Sequence, residues 1–221
     1  MIFLVLGAPG SGKGTQAKLL VKKLDYNYLE TGKVCRAMAK RNSPLGRKVN
    51  DLMHKKGVLV PDDIMEQIVK SWLDKVGVKK GIVFEGYPRN VTQHQIWKKM
   101  LTEKGVQPEL VFYLKVSHKV IVARNSARRI CPKCSYEYNL ITKPPKREGF
   151  CDQCQAKLIL RQDDQPKVVE RRIKTFNQVT RPLVEVVKKD GLLEEVDGER
   201  SIEAIHQDIM GRIKKYQAAP K

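Results

Sequence analysis

IFLVL, Ile2 to Leu6, runs without a polar break and opens directly into GAPGSGKGT, Gly7 to Thr15. A short unbroken apolar run ending in glycine is the pattern of a strand buried on both faces. The spacing Gly-x-x-x-x-Gly-Lys, from Gly7 to Lys13, then dictates the next structure. It demands a loop whose N–H groups converge on an anion, followed by a helix whose N-terminus points at the same place. Gly10 and Gly12 permit positive φ and leave room for a phosphate against the backbone. Lys13 supplies a cation able to follow the β- and γ-phosphates. One departure stands out: the residue after Lys13 is Gly14, and the hydroxyl comes one later, at Thr15. A glycine-rich turn without chemistry is the bland alternative, but the strand before and the helix after are the context this motif requires. The motif therefore points to a nucleoside triphosphate and is silent about what receives its phosphate.

The rest of the chain alternates in period. Ala17, Leu20, Val21 and Leu24 give helical spacing over 13–24, and 26–30 reads as a short strand. Thr31 is the expected cap of a helix running to about residue 41. Further helices are predicted over 45–56 and over 62–75, the second behind the start signal Pro61-Asp62-Asp63. Strands are predicted at 81–86, 109–116 and 192–197, and helices over 91–103, 118–129, 167–189 and 201–215. Arg124 and Arg128, four apart on the predicted 118–129 helix, would share a face. Strands separated by helices argue for the α/β class, with a parallel sheet covered on both faces. Residues 130–163 interrupt the rhythm with cysteines, paired prolines and turn residues, and read as an inserted module.

Within that module, Cys131, Cys134, Cys151 and Cys154 form C-x2-C-x16-C-x2-C, a spacing suited to tetrahedral zinc held by four thiolates. Reducible disulfides, unrelated thiols or an iron site are the alternatives. Four closed ligands leave no place for water, so such a zinc would be structural. The fifth cysteine, Cys35, stands apart and suits a small buried hydrophobe. The amino terminus lacks a basic segment ahead of its apolar run, and no run is long enough to span a membrane, so a cytoplasmic protein is expected. With 43 Lys and Arg against 24 Asp and Glu, the net charge of +19 attracts polyanions of any kind. A zinc-ribbon protein that binds nucleic acid and uses ATP is the rival from another class. Only 6% aromatic residues and no interleaved aromatic and basic pattern weigh against it.

Seven segments occur in order: GAPGSGKGTQAKLL, TGKVCRA, GVLVPDD, GYPRNVTQ, RRICPKC, RQDDQPKVVERR and TRPLVEVV. Together they resemble the adenylate kinases of the long-lid, zinc-containing type over residues 1–215. The resemblance implies a P-loop NTPase-type fold with a five-stranded parallel sheet flanked by helices. It implies a core of 1–29, 61–126 and 165–221, an AMP-binding segment at 30–60, and a zinc-binding lid at 127–164. The implied reaction is Mg2+-ATP plus AMP giving two ADP.

Gly10, Ser11, Gly12, Lys13, Gly14 and Thr15 would cradle ATP, with Glu137, Tyr138 and Arg200 near its base. Arg124 and Arg128 would reach in from the edge of the lid. Thr31, Arg36, Val58, Leu59, Val60, Gly86, Tyr87, Pro88, Arg89 and Gln93 would form the AMP site, Gln93 reading the adenine edge. Arg161 and Arg172 would close over the reacting phosphates. Lys13, Arg89, Arg124, Arg128, Arg161 and Arg172 form the expected catalytic set.

The residues support that cast chemically. The AMP phosphate has a second pKa of about 6, so it is already an anion at neutral pH and needs no general base. Positioning and charge neutralisation must supply the rate, which favours arginine forks. The histidines at 54, 94, 118 and 206 match no ligand or triad spacing. Lys33 and Glu85 stand where the family carries Asp residues that orient water around Mg2+. Glu85 retains a carboxylate, whereas Lys33 would place a cation beside the phosphates. A broader donor such as GTP, or a pyrimidine monophosphate as acceptor, is the nearer alternative. No oligomeric state is implied.

Overall fold

The computed structural model describes residues 1–56 and 58–219, the side chains of 54–56 excepted. The strands are β1 (Ile2–Gly7), β2 (Asn27–Glu30), β3 (Ile82–Glu85), β4 (Leu110–Lys115), β5 (Arg128–Ile130), β6 (Glu137–Asn139) and β7 (Leu193–Asp197). The α-helices are α1 (Lys13–Leu24), α2 (Thr31–Ala39), α3 (Pro44–Asn50), α4 (Asp62–Val76), α5 (Val91–Glu103), α6 (His118–Ser126), α7 (Pro166–Thr175), α8 (Arg181–Lys189) and α9 (Ile202–Ala218).

Five strands form one parallel sheet in the order β2-β3-β1-β4-β7. β1 lies at its centre and is buried throughout, as its unbroken apolar run requires. Its side chains alternate between two layers. Ile2, Leu4 and Leu6 pack with Leu73 of α4, Trp97 and Leu101 of α5, and Leu183 and Val187 of α8. Phe3 and Val5 face the other way, into a layer with Ala17 and Leu20 of α1 and Ile205, Ile209 and Ile213 of α9. Each fully buried side chain of this kind contributes about 1.5–3 kcal/mol, so a one-residue slip of β1, which exchanges the layers, is strongly opposed. The carboxyl ends of all five strands consequently open on one side, the side where parallel α/β sheets place their ligands.

Three predicted elements end differently. The helix from 118 stops at Ser126, because Arg128 to Ile130 pair as β5 with Asn139 to Glu137 of β6. Arg124 and Arg128 therefore share no helix face. The stretch 167–189 is two helices, α7 and α8, joined by a π-helical turn over Phe176–Thr180. Pro182 has no N–H to offer the carbonyl four residues back, and the helix widens there. Predicted helix 45–56 is α3 followed by a π-helical turn over Asp51–Lys56, with Ser43 as its cap, accepting from the Gly46 N–H at 3.0 Å. Thr31 is not a cap: it is the first residue of α2, and its hydroxyl donates to the Glu85 carbonyl at 3.3 Å.

Candidate active site

The phosphate loop leaves the end of β1 and feeds α1, whose first turn has no side-chain cap. Its N–H groups are thus left for a ligand. Gly10 has φ of +82°, and a Cβ there would lie 2.3 Å from Nδ2 of Asn125 on α6. That amide donates to the Pro9 carbonyl at 3.0 Å and to the Ile121 carbonyl at 2.7 Å, so it braces the loop from outside. Gly12, at +93°, is needed for its conformation alone, since nothing crowds it. Lys13 Nζ donates to the Ala8 carbonyl at 3.3 Å and lies 3.8 Å from Glu85 Oε1. Burial pushes the Lys13 pKa down to about 8, Glu85 opposing and the nearby arginines assisting.

Two cavities meet at this loop. One is lined by Gly10 to Lys18 apart from Ala17, and by Glu30, Glu85, Arg124, Arg128, Glu137, Tyr138, Arg161 and Arg200. The other is lined by Thr31, Cys35, Met53, Val58, Leu59, Val60, Met65, Gly86 and Gln93. Lys13, Gly32, Arg36, Arg89 and Arg172 border both. Four cations thus stand at the junction of a cavity with a phosphate loop and a cavity with an apolar wall. Gln93 in the second cavity is buried, its Oε1 accepting from the Arg89 N–H and its Nε2 donating to Asp62, each at 2.7 Å. An amide has two N–H groups and two lone pairs, so one of each remains for a base edge. Tyr87 and Pro88, joined by a cis peptide bond, are buried and border neither cavity.

Two further arginines, Arg128 and Arg161, are held together with Arg172 by one pair of carboxylates. Asp163 and Asp164 sit on a 3-10 turn before α7, both buried. Arg128 donates to Asp164 at 2.6 Å through Nε, and its Nη2 reaches Asn125 at 2.8 Å. Arg161 donates to Asp163 at 2.8 Å and to Glu137 at 2.9 Å. Arg172 donates to the Asp163 carbonyl at 2.9 Å and to Asp164 at 3.3 Å. Burial alone would raise the Asp163 pKa, but Arg161 and Arg172 overcome it and hold the carboxyl well below its usual range. Glu137 is likewise kept low, against the effect of burial, by Arg161 and Arg128. Burial pushes Arg172 down to about 10, Asp163 opposing, which leaves it charged at neutral pH.

The sequence did not single out Asp163 and Asp164 as functional. Their signal was the DD between arginines in RQDDQPKVVERR. Arg124 turns to the backbone, donating to the Gly198 carbonyl at 2.7 Å. Arg200 pairs with Asp208 and borders the first cavity only, as does Arg161. Tyr138 borders that cavity, but its ring packs in the cysteine module beside Cys131, Cys151 and Leu158. Lys33 is exposed and borders neither cavity. His94, His118 and His206 border neither cavity, and the His54 side chain lies outside the described residues.

The cysteine module is built from two equivalent turns. In each, the N–H of the fourth residue onward returns to the first cysteine's carbonyl: Ser135 to Cys131 at 2.9 Å, Gln155 to Cys151 at 2.8 Å. Ser135 and Gln155 accordingly carry positive φ, at 61° and 59°. The turns bring four sulfurs within 4.8 Å of one another, none in a disulfide. Zinc–sulfur bonds of about 2.3 Å imply sulfur–sulfur edges of about 3.8 Å, so the set fits a tetrahedral zinc. The core of this module is small: Cys131, Tyr138, Cys151 and Leu158 are its buried members.

The adenylate kinase family model matches residues 5–192. The adenylate kinase of Thermosipho melanesiensis is 41% identical over 97% of this chain and 100% of its own length. That of Lachnoclostridium phytofermentans is 38% identical over 97% and 99%. That of Caldanaerobacter subterraneus subsp. tengcongensis is 37% identical over 95% and 94%. The chain belongs to the adenylate kinase family. In an adenylate kinase, Mg2+ accompanies ATP, and the residues here fit it: the carboxylates of Glu85 and Glu30 border the phosphate-loop cavity. Magnesium characteristically keeps several waters and takes one or two carboxylates alongside substrate phosphates. Among the described residues of this adenylate kinase, no helix is long and apolar enough to cross a membrane.

Proposed function

We propose that the chain transfers the γ-phosphoryl group of Mg2+-ATP to AMP, reversibly, giving two ADP. The observation that carries this is the junction itself. Lys13, Arg36, Arg89 and Arg172 border both cavities, so two nucleotides entering from opposite sides would meet among four cations. Gly10 to Thr15 would hold the donor's phosphates through backbone N–H groups, and Lys13 would follow the transferred group. Bound Mg2+ would neutralise charge on the donor phosphates. Arg36 and Arg89 would orient the acceptor phosphate, whose anion attacks without a general base.

Arg128, Arg161 and Arg172, preorganised by Asp163 and Asp164, would supply the remaining charge stabilisation. Such forks, desolvated and aimed where charge develops, can carry most of the rate enhancement. The apolar wall of Val58 to Val60, Met53 and Met65 would receive the acceptor base. Core 1–29, 61–126 and 165–221, acceptor segment 30–60 and lid 127–164 are the bodies that would move during closure, with zinc keeping the lid rigid. The ligands would be ATP, AMP and ADP, and no specific nucleic acid is required.

A donor-by-acceptor panel with Mg2+, followed by 31P NMR for diphosphate formation, tests this. ADP from ATP and AMP is the expected product. No ADP from that pair overturns the assignment, and equal rates with GTP would broaden the donor.

A further inference from the structure

Glu30 ends β2 directly opposite Glu85 at the end of β3 in the parallel register. The Tyr28 hydroxyl, on the same face of β2, donates toward both carboxylates, at 3.5 Å to Glu30 Oε2 and 3.4 Å to Glu85 Oε2. Two oxygens that share one hydroxyl lie within about 7 Å of each other, a span that the octahedral water shell of one magnesium ion covers. Burial, with Glu85 and Glu30 adding to it, raises the Tyr28 pKa, so the phenol remains a donor. Both carboxylates border the phosphate-loop cavity beside Lys13. Lys33, at the position where the family resemblance implies Asp, borders neither cavity.

Glu30 has a second tie. Its Oε1 accepts from Arg36 Nη2 at 2.8 Å, and Lys18 Nζ stands 3.7 Å from its Oε2. Arg36 is one of the cations at the junction of the cavities, where an acceptor phosphate would need it. A phosphate dianion offers the guanidinium more charge than a carboxylate does, so the two anions compete for one fork.

Resting on the phosphotransfer assignment above, we propose that Glu30 is a positioning residue shared between the two substrates. It holds Arg36 in the free protein. Once the acceptor phosphate draws Arg36 away, its carboxylate joins Glu85 on the water shell of magnesium. Acceptor and metal binding are thereby coupled through one side chain.

The test measures Mn2+ binding by electron paramagnetic resonance, in the presence of the β,γ-imido analogue of ATP, with and without AMP. Calorimetry measures AMP binding alone. In the unaltered protein, AMP should tighten Mn2+ binding about fivefold or more. Glu30→Gln should abolish that response and should bind AMP alone about 3–10-fold more tightly, the competing charge being gone. Glu30→Asp should restore part of the coupling, which a purely structural role would not predict. Tyr28→Phe, leaving both carboxylates in place, should weaken the response without tightening AMP. An unaltered response in Glu30→Gln, weaker AMP binding in that variant, or no coupling in the unaltered protein overturns the proposal. If ADP formation from ATP and AMP persists in any of these cases, only the role of Glu30 falls.

Discussion

At Gly10 a side chain would meet two obstacles, a φ of +82° and an Asn125 amide 2.3 Å from its Cβ. Strain of that kind costs about 1–3 kcal/mol, and Asn125 cannot yield without releasing Pro9 and Ile121. Gly10→Ala should therefore weaken ATP binding about 10–100-fold in calorimetry, while circular dichroism shows the sheet unchanged. Lys13 gives a pH dependence. Its free-state pKa is about 8, and ATP phosphates favour the charged form, so ATP binding near pH 8 should take up protons. ATP affinity should fall as pH rises above about 8, and calorimetry in buffers of different ionisation enthalpy should register the uptake. The same depressed pKa affects stability with the opposite sense. The unfolded chain holds this proton up to about pH 10.5, so the Lys13 contribution to stability rises between about pH 8 and that value.

The short 3-10 turn of Asp163 and Asp164 illustrates what an element contributes beyond its residues. It ties β5, the segment that ends at Arg161 and α7 to one place, because Arg128, Arg161 and Arg172 come from three different segments. Removing one carboxylate leaves buried guanidinium charge uncompensated, which costs about 3–5 kcal/mol. Asp164→Ala should lower stability to urea by that order, and ATP should restore part of it by supplying phosphate oxygens to the same arginines. The cysteine turns behave as a second such element. Four buried core members are too few to hold a lid, and binding free energy from zinc is folding free energy in modules of this size. Chelation, or Cys134→Ser, should release about one zinc per chain by metal analysis and lower the melting temperature.

For the molecule as a whole, the cavity proposed for the acceptor is walled mainly by the end of β1, α2, the segment around Val58 to Val60 and the stretch from Arg172 to Thr180, whereas the cavity proposed for the donor takes part of its wall from Arg128, Glu137 to Asn139 and Arg161 of the cysteine module. Loss of zinc should therefore separate the two. AMP binding should persist within about threefold by calorimetry, while phosphoryl transfer falls about 100-fold or more, since water exclusion and lid arginines are lost together. Equal loss of both would contradict this division.

The residue pattern alone determined the central strand, the phosphate loop, the alternation that makes a parallel sheet, and the placing of four cysteines in two short turns. Each is local: an apolar period, a glycine that must take positive φ, or a spacing that puts two sulfurs in one turn. What only the tertiary structure decided is non-local. Arg128 lies on a strand because Asn139 pairs with it, and Tyr138 turns into the cysteine module because Cys151 and Leu158 are there. Lys33 faces solvent while Glu30 enters the cleft, because β2 aligns Glu30 with Glu85. Asp163 and Asp164 become the hub of three arginines only when segments 36 residues apart, from Arg128 to Asp164, are folded together. Long-range ion pairs leave no period in a sequence, since their geometry is set by the sheet and helices that carry them.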